Sequence, residues 1–162
     1  MSEKFEILKN EPFRDFRGGL TRTFDAKWFS KDICPIQTSV SFTGQKGTLR
    51  GFHYETSLKK EWKCISFLKG DVYFALIDLR PESDTYKVTH EARIVGGQCV
   101  SYFVPAGYAN AFLSLSDDVW VSYAMGCRYE ESEYAVLNWR DPLVRDIEWP
   151  DRPLLISDRD RG

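Results

Sequence analysis

The stretch EWKCISFLKGDVYFALIDLRPES, residues 61–83, decides the fold class of this chain. It contains two apolar runs, 61–68 and 72–79, and each run stops at a short polar segment with glycine or proline. The pattern returns at 99–104 before PAG and at 119–124 before MG. Short apolar runs divided by turn residues indicate antiparallel all-β structure, either a sandwich or a barrel, and Pro-x-Gly turns between strands favour a jelly roll.

Helix is predicted only in short pieces. Asp25 is placed to cap a turn over 26–31, and a second turn is predicted over 130–136. The segment from Asp141 onward is polar and contains prolines, so we expect it to wrap around the outside of the β structure.

Composition narrows the class of protein. A chain of 162 residues suits one domain, 1–162, with a single core. Its formal net charge of -2 supplies no electrostatic reason to expect binding to nucleic acid or to an anionic membrane. The sequence shows neither a signal segment nor an apolar run approaching ~18 residues, so we expect a soluble, cytoplasmic protein.

The residue types that hold metals and cofactors are sparse. The two histidines, His53 and His90, lack the spacing of a metal-ligand pair, so we expect no metal. No glycine-rich nucleotide fingerprint is present, so we expect no nicotinamide cofactor. The cysteines are scattered without a CxxC pair and are interpreted as reduced thiols: Cys34, Cys64, Cys99 and Cys127.

The motif RGFHY, residues 50–54, places a histidine within a strand-like run. Strict alternation puts Leu49 and His53 on one face of this strand and Arg50 and Phe52 on the other. A lone imidazole on the apolar side of a strand is more often a packed core group than a catalyst. Because imidazole exchanges protons near neutral pH, the question is whether partners of the right chemistry occur elsewhere in the chain.

Several motifs, in order and spacing, resemble one known family over nearly the whole chain. They are FRDFRG at 13–18, KGTLRGFHY at 46–54, VPAGYANAF at 104–112, WRDP at 139–142, IEWP at 147–150 and LISDRD at 155–160. This series resembles the dTDP-4-dehydrorhamnose 3,5-epimerase family, which consists of cupin-type jelly rolls acting on nucleotide-linked 4-keto sugars. The resemblance implies epimerisation at C3, at C5 or at both, through an enolate and without a cofactor.

The chemistry of that reaction asks for a base on one face of the sugar, a proton donor on the other, and a positive group near the ketone oxygen. The resemblance implies that His53 is the base and that Asp160 is the carboxylate that orients it. It also implies that Lys63 is the cation near the oxygen and Tyr123 the acid.

Each of these residues also has an ordinary structural explanation. Asp160 lies in a charged tail and would face solvent by default, and core packing alone would explain the position of Tyr123. Lys63, however, alternates in phase with Ile65 and Phe67, which argues against a solvated side chain. The four residue types at the spacing of the family favour function over coincidence.

The resemblance also implies a substrate-binding set and a homodimer. Arg17 and Arg50 match diphosphate contacts, and Tyr129 matches an aromatic side chain that stacks on the nucleotide base. Since alternation places Arg50 opposite His53, a bulge or twist is needed between them. In the implied homodimer the N-terminal strands cross, so that Arg17 and Arg22 act on the partner's site.

Three positions depart from the family pattern. Asn110 replaces a histidine, Arg22 replaces a glutamate that contacts the base, and Phe74 replaces an aspartate that would neighbour Lys63. These changes keep the proton-transfer set but leave the nucleotide base and the sugar open. We expect a substrate other than the usual thymidine-linked 6-deoxyhexose, and inversion of one centre rather than two. A non-catalytic sugar-nucleotide binding module and a keto-isomerase of the same superfamily stay as alternatives.

Overall fold

The computed structural model describes residues 4–9, 11–29, 33–130 and 133–161, and strands dominate this part of the chain. In chain order the strands are β1 Glu6–Lys9, β2 Phe13–Asp15, β3 Gly18–Leu20, β4 Gln37–Thr43, β5 Thr48–Glu55, β6 Lys63–Lys69, β7 Val72–Asp78, β8 Thr89–Ile94, β9 Val100–Val104, β10 Tyr108–Ser114, β11 Val119–Met125, β12 Tyr134–Val136 and β13 Leu155–Ile156. The apolar runs that the sequence marks as strands are confirmed.

Two sheets and a separate hairpin make up the fold. The first sheet has the order β1-β9-β6-β11-β4, and the second has the order β12-β5-β10-β7-β8. Strand β13 pairs in parallel with β5, while the other pairs are antiparallel. The hairpin joins β2 and β3. The predicted antiparallel all-β, cupin-type jelly roll is confirmed.

The main apolar core fills the space between the two sheets. Ile65 and Phe67 of β6 and Val121 of β11 meet Phe74 and Leu76 of β7 there. Burying a side chain of this size contributes about 1.5–3 kcal/mol. Lys63 and Tyr123 lie in phase with these residues on β6 and β11, so the same alternation that builds the core turns them inward.

The chain beyond 141 covers the outer face of the second sheet, as predicted. Val144 and Ile147 are buried there against Phe52 and Ile77, and Trp149 packs beside them. The segment is polar in average composition, yet the apolar residues of 143–149 pack against the sheet, whereas Leu154 and Leu155 are exposed. It therefore brings the chain back to β5, where β13 pairs with the residues just before Arg50.

A bulge in β5 decides which side chains face the interior. In the pairing with β10, His53 lies opposite Asn110 and Arg50 lies opposite Phe112, so β5 carries one extra residue in this interval. Gly51 occupies it with φ +105°, and a Cβ atom there would lie 2.4 Å from the carbonyl oxygen of Asn110. The strict alternation predicted for Arg50 and His53 is therefore wrong. The bulge that was predicted between them is present.

The predicted helical turns are only partly correct. A 3-10 helix spans Ala26–Trp28, and the carboxylate of Asp25 caps it by accepting a hydrogen bond from the amide of Lys27 at 3.0 Å. The helix ends at Trp28, before the predicted end at 31. Residues 30–32 lie outside the described residues. The turn predicted over 130–136 is wrong at Tyr134–Val136, which forms β12. The described residues contain no helix long and apolar enough to cross a membrane.

Candidate active site

His53 and Asp160 form the central pair of the site. Strand β5 carries His53, and a four-residue helix, α1 (Asp158–Arg161), carries Asp160. The imidazole Nε2 lies 2.7 Å from Oδ1 of Asp160. The second carboxylate oxygen, Oδ2, accepts a hydrogen bond from the amide of Gly51 at 3.1 Å, so the bulge also holds the pair in place.

Asp160 is buried, with 5% of its side chain exposed, although its charged surroundings in sequence predict a solvated side chain. Burial alone would raise the pKa of the carboxyl group. Hydrogen bonds and charge from His53, together with hydrogen bonds from Gly51 and Ser157, outweigh burial and hold the pKa of Asp160 below its usual value. The group is therefore a carboxylate at neutral pH and favours an imidazole that carries a proton on Nε2.

Tyr123 faces the same cavity from the other sheet. It lies on β11, whereas His53 lies on β5, so the two side chains approach the cavity from opposite walls. Burial raises the pKa of the Tyr123 phenol, and the positive charge of Arg50 only partly opposes this effect. The phenol is therefore protonated at neutral pH and able to donate.

Lys63 is held by two side chains. Its ammonium lies 2.9 Å from Oε2 of Glu61 and donates a hydrogen bond to Oδ1 of Asn110 at 3.0 Å. The hydroxyl of Tyr134 donates a hydrogen bond to Oε1 of Glu61 from the other side. Glu61 and Tyr134 were not predicted as site residues. Glu61 precedes β6 and stands two residues before Lys63, the spacing that puts two side chains on one side of an extended chain.

These side chains surround one cavity of about 180 Å³. It is lined by His53, Glu61, Lys63, Asn110, Tyr123, Met125, Tyr129, Tyr134 and Arg159. Aromatic and apolar walls with a few polar groups are typical of small-molecule sites. Within the described residues, no three His, Cys, Asp or Glu side chains are grouped so as to hold a metal ion.

Tyr129 and Arg159 form the more exposed part of the lining. The guanidinium of Arg159 donates a hydrogen bond to the hydroxyl of Tyr129 at 2.5 Å. The rings of Tyr129 and Tyr134 lie 4.5 Å apart, and the amide of Tyr129 donates to the side chain of Gln37 at 3.0 Å. Arg159 was not predicted as a site residue. Its position in the motif LISDRD, directly before Asp160, could have identified it.

The predicted arginines lie outside the cavity lining. Arg50 donates hydrogen bonds to Thr43 Oγ1 at 2.9 Å and to the carbonyl of Phe42 at 3.0 Å, both on the edge strand β4. Arg17 forms an ion pair with Asp15 in the exposed hairpin. Arg22 lies 3.8 Å from Asp25. A single chain therefore does not bring Arg17 or Arg22 to the site.

The fold and the cavity define a class: a cupin-type jelly roll with a His–carboxylate pair and a protonated phenol on opposite walls, and a buried ammonium between the sheets. The model of the family described as dTDP-4-dehydrorhamnose 3,5-epimerase matches residues 3–162. The chain belongs to this family.

Comparison with individual proteins supports the assignment to this family. A dTDP-4-dehydrorhamnose 3,5-epimerase of Methanothermobacter thermautotrophicus is 30% identical over 96% of this chain and 86% of its own length. The structure of a Bacillus anthracis dTDP-4-dehydrorhamnose 3,5-epimerase with TDP and PPi bound superimposes with a TM-score of 0.89 at 28% identity, covering 97% of this chain and 91% of that one.

A third similar structure is that of ChmJ, a 3'-monoepimerase from Streptomyces bikiniensis in complex with dTDP-quinovose. Its TM-score is 0.85 at 28% identity, and the match covers 98% of this chain and 81% of that chain. The predicted family and the assignment as a nucleotide-sugar epimerase are confirmed by these matches.

Proposed function

We propose that this chain, acting as one domain over 1–162, inverts C3 or C5 of a nucleotide-diphosphate-linked 4-keto-6-deoxy sugar, with His53 as base and Tyr123 as acid. The observation that carries this proposal is their placement on opposite walls of one cavity. A sugar ring between them presents one face to the imidazole and the other to the phenol. Inversion at carbon needs this arrangement, whereas binding does not.

The proton steps follow from the contacts. With Nε2–H donating to Asp160, the lone pair on Nδ1 of His53 removes the proton from the carbon next to the ketone. The electron pair of that C–H bond moves into the ring, and the negative charge reaches the ketone oxygen as an enolate. Asp160 stabilises the imidazolium that results, and it also fixes the orientation of the ring.

Lys63 stabilises the enolate, and Tyr123 completes the inversion. The Lys63 ammonium lines the cavity and supplies positive charge where the oxygen becomes negative. Tyr123 then donates its proton to the carbon from the opposite face, and the enolate collapses to the ketone. His53 releases a proton and Tyr123 regains one by exchange with solvent. The net change is isomerisation, which consumes no cofactor.

The binding roles of Tyr129, Arg50 and Asn110 are part of the proposal. Tyr129, on the exposed side of the cavity, stacks on the nucleotide base. Arg50, which lies outside the cavity lining, binds the diphosphate. Asn110 cannot move a proton, and its contact with Lys63 gives it the role of holding the ammonium.

The proposal includes a homodimer in the cytoplasm. All residues of β2 and β3 are exposed, and the hairpin presents Phe13, Phe16 and Leu20 to solvent, with Phe16 98% exposed. The edge strand β4 also exposes Phe42. Exposed apolar side chains at an open sheet edge favour association with another protein surface. A second copy covers them, and the crossed hairpins carry Arg17 and Arg22 to the partner's cavity.

Inversion of one centre is supported by the departure at Asn110, which lines the cavity. It replaces an ionisable group of the family pattern with one that cannot exchange a proton at neutral pH, so fewer groups serve two successive inversions. Phe74, another departure, lies in the main core and outside the cavity lining. ChmJ, described as a 3'-monoepimerase, shows that a similar protein acts at a single centre.

The substrate is tested by a panel of thymidine-, guanosine- and cytidine-linked 4-keto sugars, with hexose and heptose members, followed by NMR of the products. We expect one member to change configuration at one carbon while its carbonyl stays at C4. Movement of the carbonyl would identify a keto-isomerase instead. Tight binding of a member without any turnover would identify a binding module.

A further inference from the structure

Glu61 and Lys63 form the most buried ion pair that lines the cavity. The exposed fractions of the two side chains are 3% for Glu61 and 9% for Lys63. Charges removed from water to this extent require partners, and each of these two is the other's ionic partner. The pair belongs to one short stretch of chain, so the backbone of that stretch sets its geometry.

The ammonium of Lys63 is fixed in direction as well as in charge. Glu61 Oε2 lies 2.9 Å from the ammonium as its ionic partner, and Asn110 Oδ1 accepts a hydrogen bond from it at 3.0 Å. An ammonium has three N–H groups, so these contacts leave it able to donate to a group inside the cavity that Lys63 lines. A fixed direction matters because a lysine side chain has several rotatable bonds and otherwise loses its orientation easily.

Tyr134 holds the carboxylate in turn. Its hydroxyl donates to Glu61 Oε1, and its ring lies 5.8 Å from the Lys63 ammonium. Burial raises the pKa of Tyr134, and the hydrogen bond and charge of Glu61 raise it further. The phenol therefore stays protonated and serves as a donor to Glu61, which leaves Oε2 for Lys63.

The resemblance in sequence implies an acidic partner for Lys63 at position 74, which is phenylalanine in this chain. Phe74 stands there, fully buried among Phe67 and Tyr102 in the main core. The negative charge that Lys63 needs comes instead from Glu61.

We propose that Glu61, held by Tyr134, is the positioning residue that keeps the Lys63 ammonium directed at the ketone oxygen of the substrate. This inference rests on the proposed function of Lys63. It assigns Glu61 and Tyr134 a part in the reaction without contact between Glu61 and the reacting carbon.

A purely structural role for the pair predicts different kinetics. If Glu61 only satisfies a buried charge, its loss lowers stability but leaves the enzyme that remains folded with normal turnover. If Glu61 holds the Lys63 ammonium in place, its loss lowers kcat in the enzyme that remains folded, while KM stays near wild type.

The test compares Glu61→Gln and Tyr134→Phe with two matched controls. Glu133→Gln removes a carboxylate from a surface pair with Lys60, and Tyr86→Phe removes an exposed hydroxyl. Turnover and KM are measured with the substrate that the wild-type protein converts, and affinity for the nucleoside diphosphate alone is measured by calorimetry.

We expect Glu61→Gln to lower kcat about 10²-fold, the size of effect that misplacement of a reacting group produces. KM and nucleoside-diphosphate affinity stay near wild type. Tyr134→Phe shows the same changes to a smaller extent, and both controls behave as wild type.

Wild-type kcat in folded Glu61→Gln would overturn the inference. If that variant does not fold, Tyr134→Phe decides the question by the same criteria, since it removes one hydroxyl and retains the ring. Failure of the proposed function is distinguishable, because in that case the wild-type protein itself converts none of the sugars.

Discussion

His53 Nε2 and Asp160 Oδ1 lie 2.7 Å apart although 107 positions separate them in sequence. The bulge at Gly51 and the pairing of β13 with β5 bring them together, since one turns His53 inward and the other returns the end of the chain to the same strand. The carboxylate oxygen that His53 does not contact is held by the Gly51 amide. The base and its orienting group are thus fixed by the backbone that carries them.

Replacement of Asp160 by asparagine should lower turnover about 10²–10⁴-fold, the range found for loss of acid–base assistance. The amide carries no charge to stabilise the imidazolium and does not select the tautomer with the proton on Nε2. Asp158→Asn is the matched control, because Asp158 lies on the same helix with its side chain fully exposed. Equal activities of the two variants would show that the His53–Asp160 contact has no part in the reaction.

Replacement of Tyr123 by phenylalanine should slow product formation much more than proton exchange at the reacting carbon. Exchange requires only the His53 wall, whereas inversion requires a donor on the other wall. Tyr102→Phe, which removes a hydroxyl from the core on β9, serves as control. Both rates are measured on the same sample by NMR, and an equal fall in the two would exclude Tyr123 as the donor.

The shared site of the proposed homodimer can be tested by mixing two inactive variants, Arg17→Ala and His53→Ala. Random pairing makes half of the dimers mixed, and each mixed dimer holds one intact site if Arg17 acts on the partner, so about a quarter of wild-type activity should return. If Arg17 acts within its own chain, no mixed dimer has an intact site and activity stays absent. A monomer by sedimentation at micromolar concentration, with full wild-type activity, would also contradict the proposal.

His90 should make the fold sensitive to mild acid. Its ring packs on Phe5 at 4.4 Å, and its Nε2 is buried without a hydrogen-bond partner among the described residues. Burial lowers the pKa of His90, and the charge of Glu91 only partly opposes this. Because the unfolded chain then binds the proton more readily, the stability that neutral His90 contributes is present above about pH 6.5 and is lost as the pH falls toward the lower folded pKa.

The measurement for this prediction is the free energy of unfolding in urea from pH 7.5 to 5.5. The wild-type protein should lose stability over this window by no more than about 1.4 kcal/mol per pH unit from this one group. His90→Phe, which keeps an aromatic ring beside Phe5, should flatten the curve. An identical pH dependence in the two proteins would place the sensitivity elsewhere.

The fold was predictable because strand length, turn residues and alternation all act locally. Lys63 illustrates how far this reaches: its phase with Ile65 and Phe67 predicts burial, and the side chain is buried. Arg50 shows the limit of alternation, which assumes an unbroken pairing and fails where β5 carries an extra residue. Asp160 was recognised through its motif, since its local surroundings predict solvent exposure.

The contacts missed in the site depend on pairing between distant segments. Tyr134 reaches Glu61 only because 134–136 form a strand beside β5, whereas the local sequence favoured a turn. Glu61 shares the phase of Lys63, but nothing in the sequence distinguishes it from an ordinary strand-end carboxylate. Such partners become visible only when the two sheets are in place.

Incorporation of solvent deuterium is the direct test of His53 as the base that removes a proton from the sugar. The candidate 4-keto sugar nucleotides are incubated in D2O with the wild-type protein and with His53→Ala, and the ring positions are followed by NMR. We predict that deuterium enters C3 or C5 with the wild-type protein and that exchange with His53→Ala falls to the rate in buffer, while binding of the nucleoside diphosphate is retained. Absence of exchange in every sugar with the wild-type protein, or exchange at the wild-type rate with His53→Ala, would contradict the account.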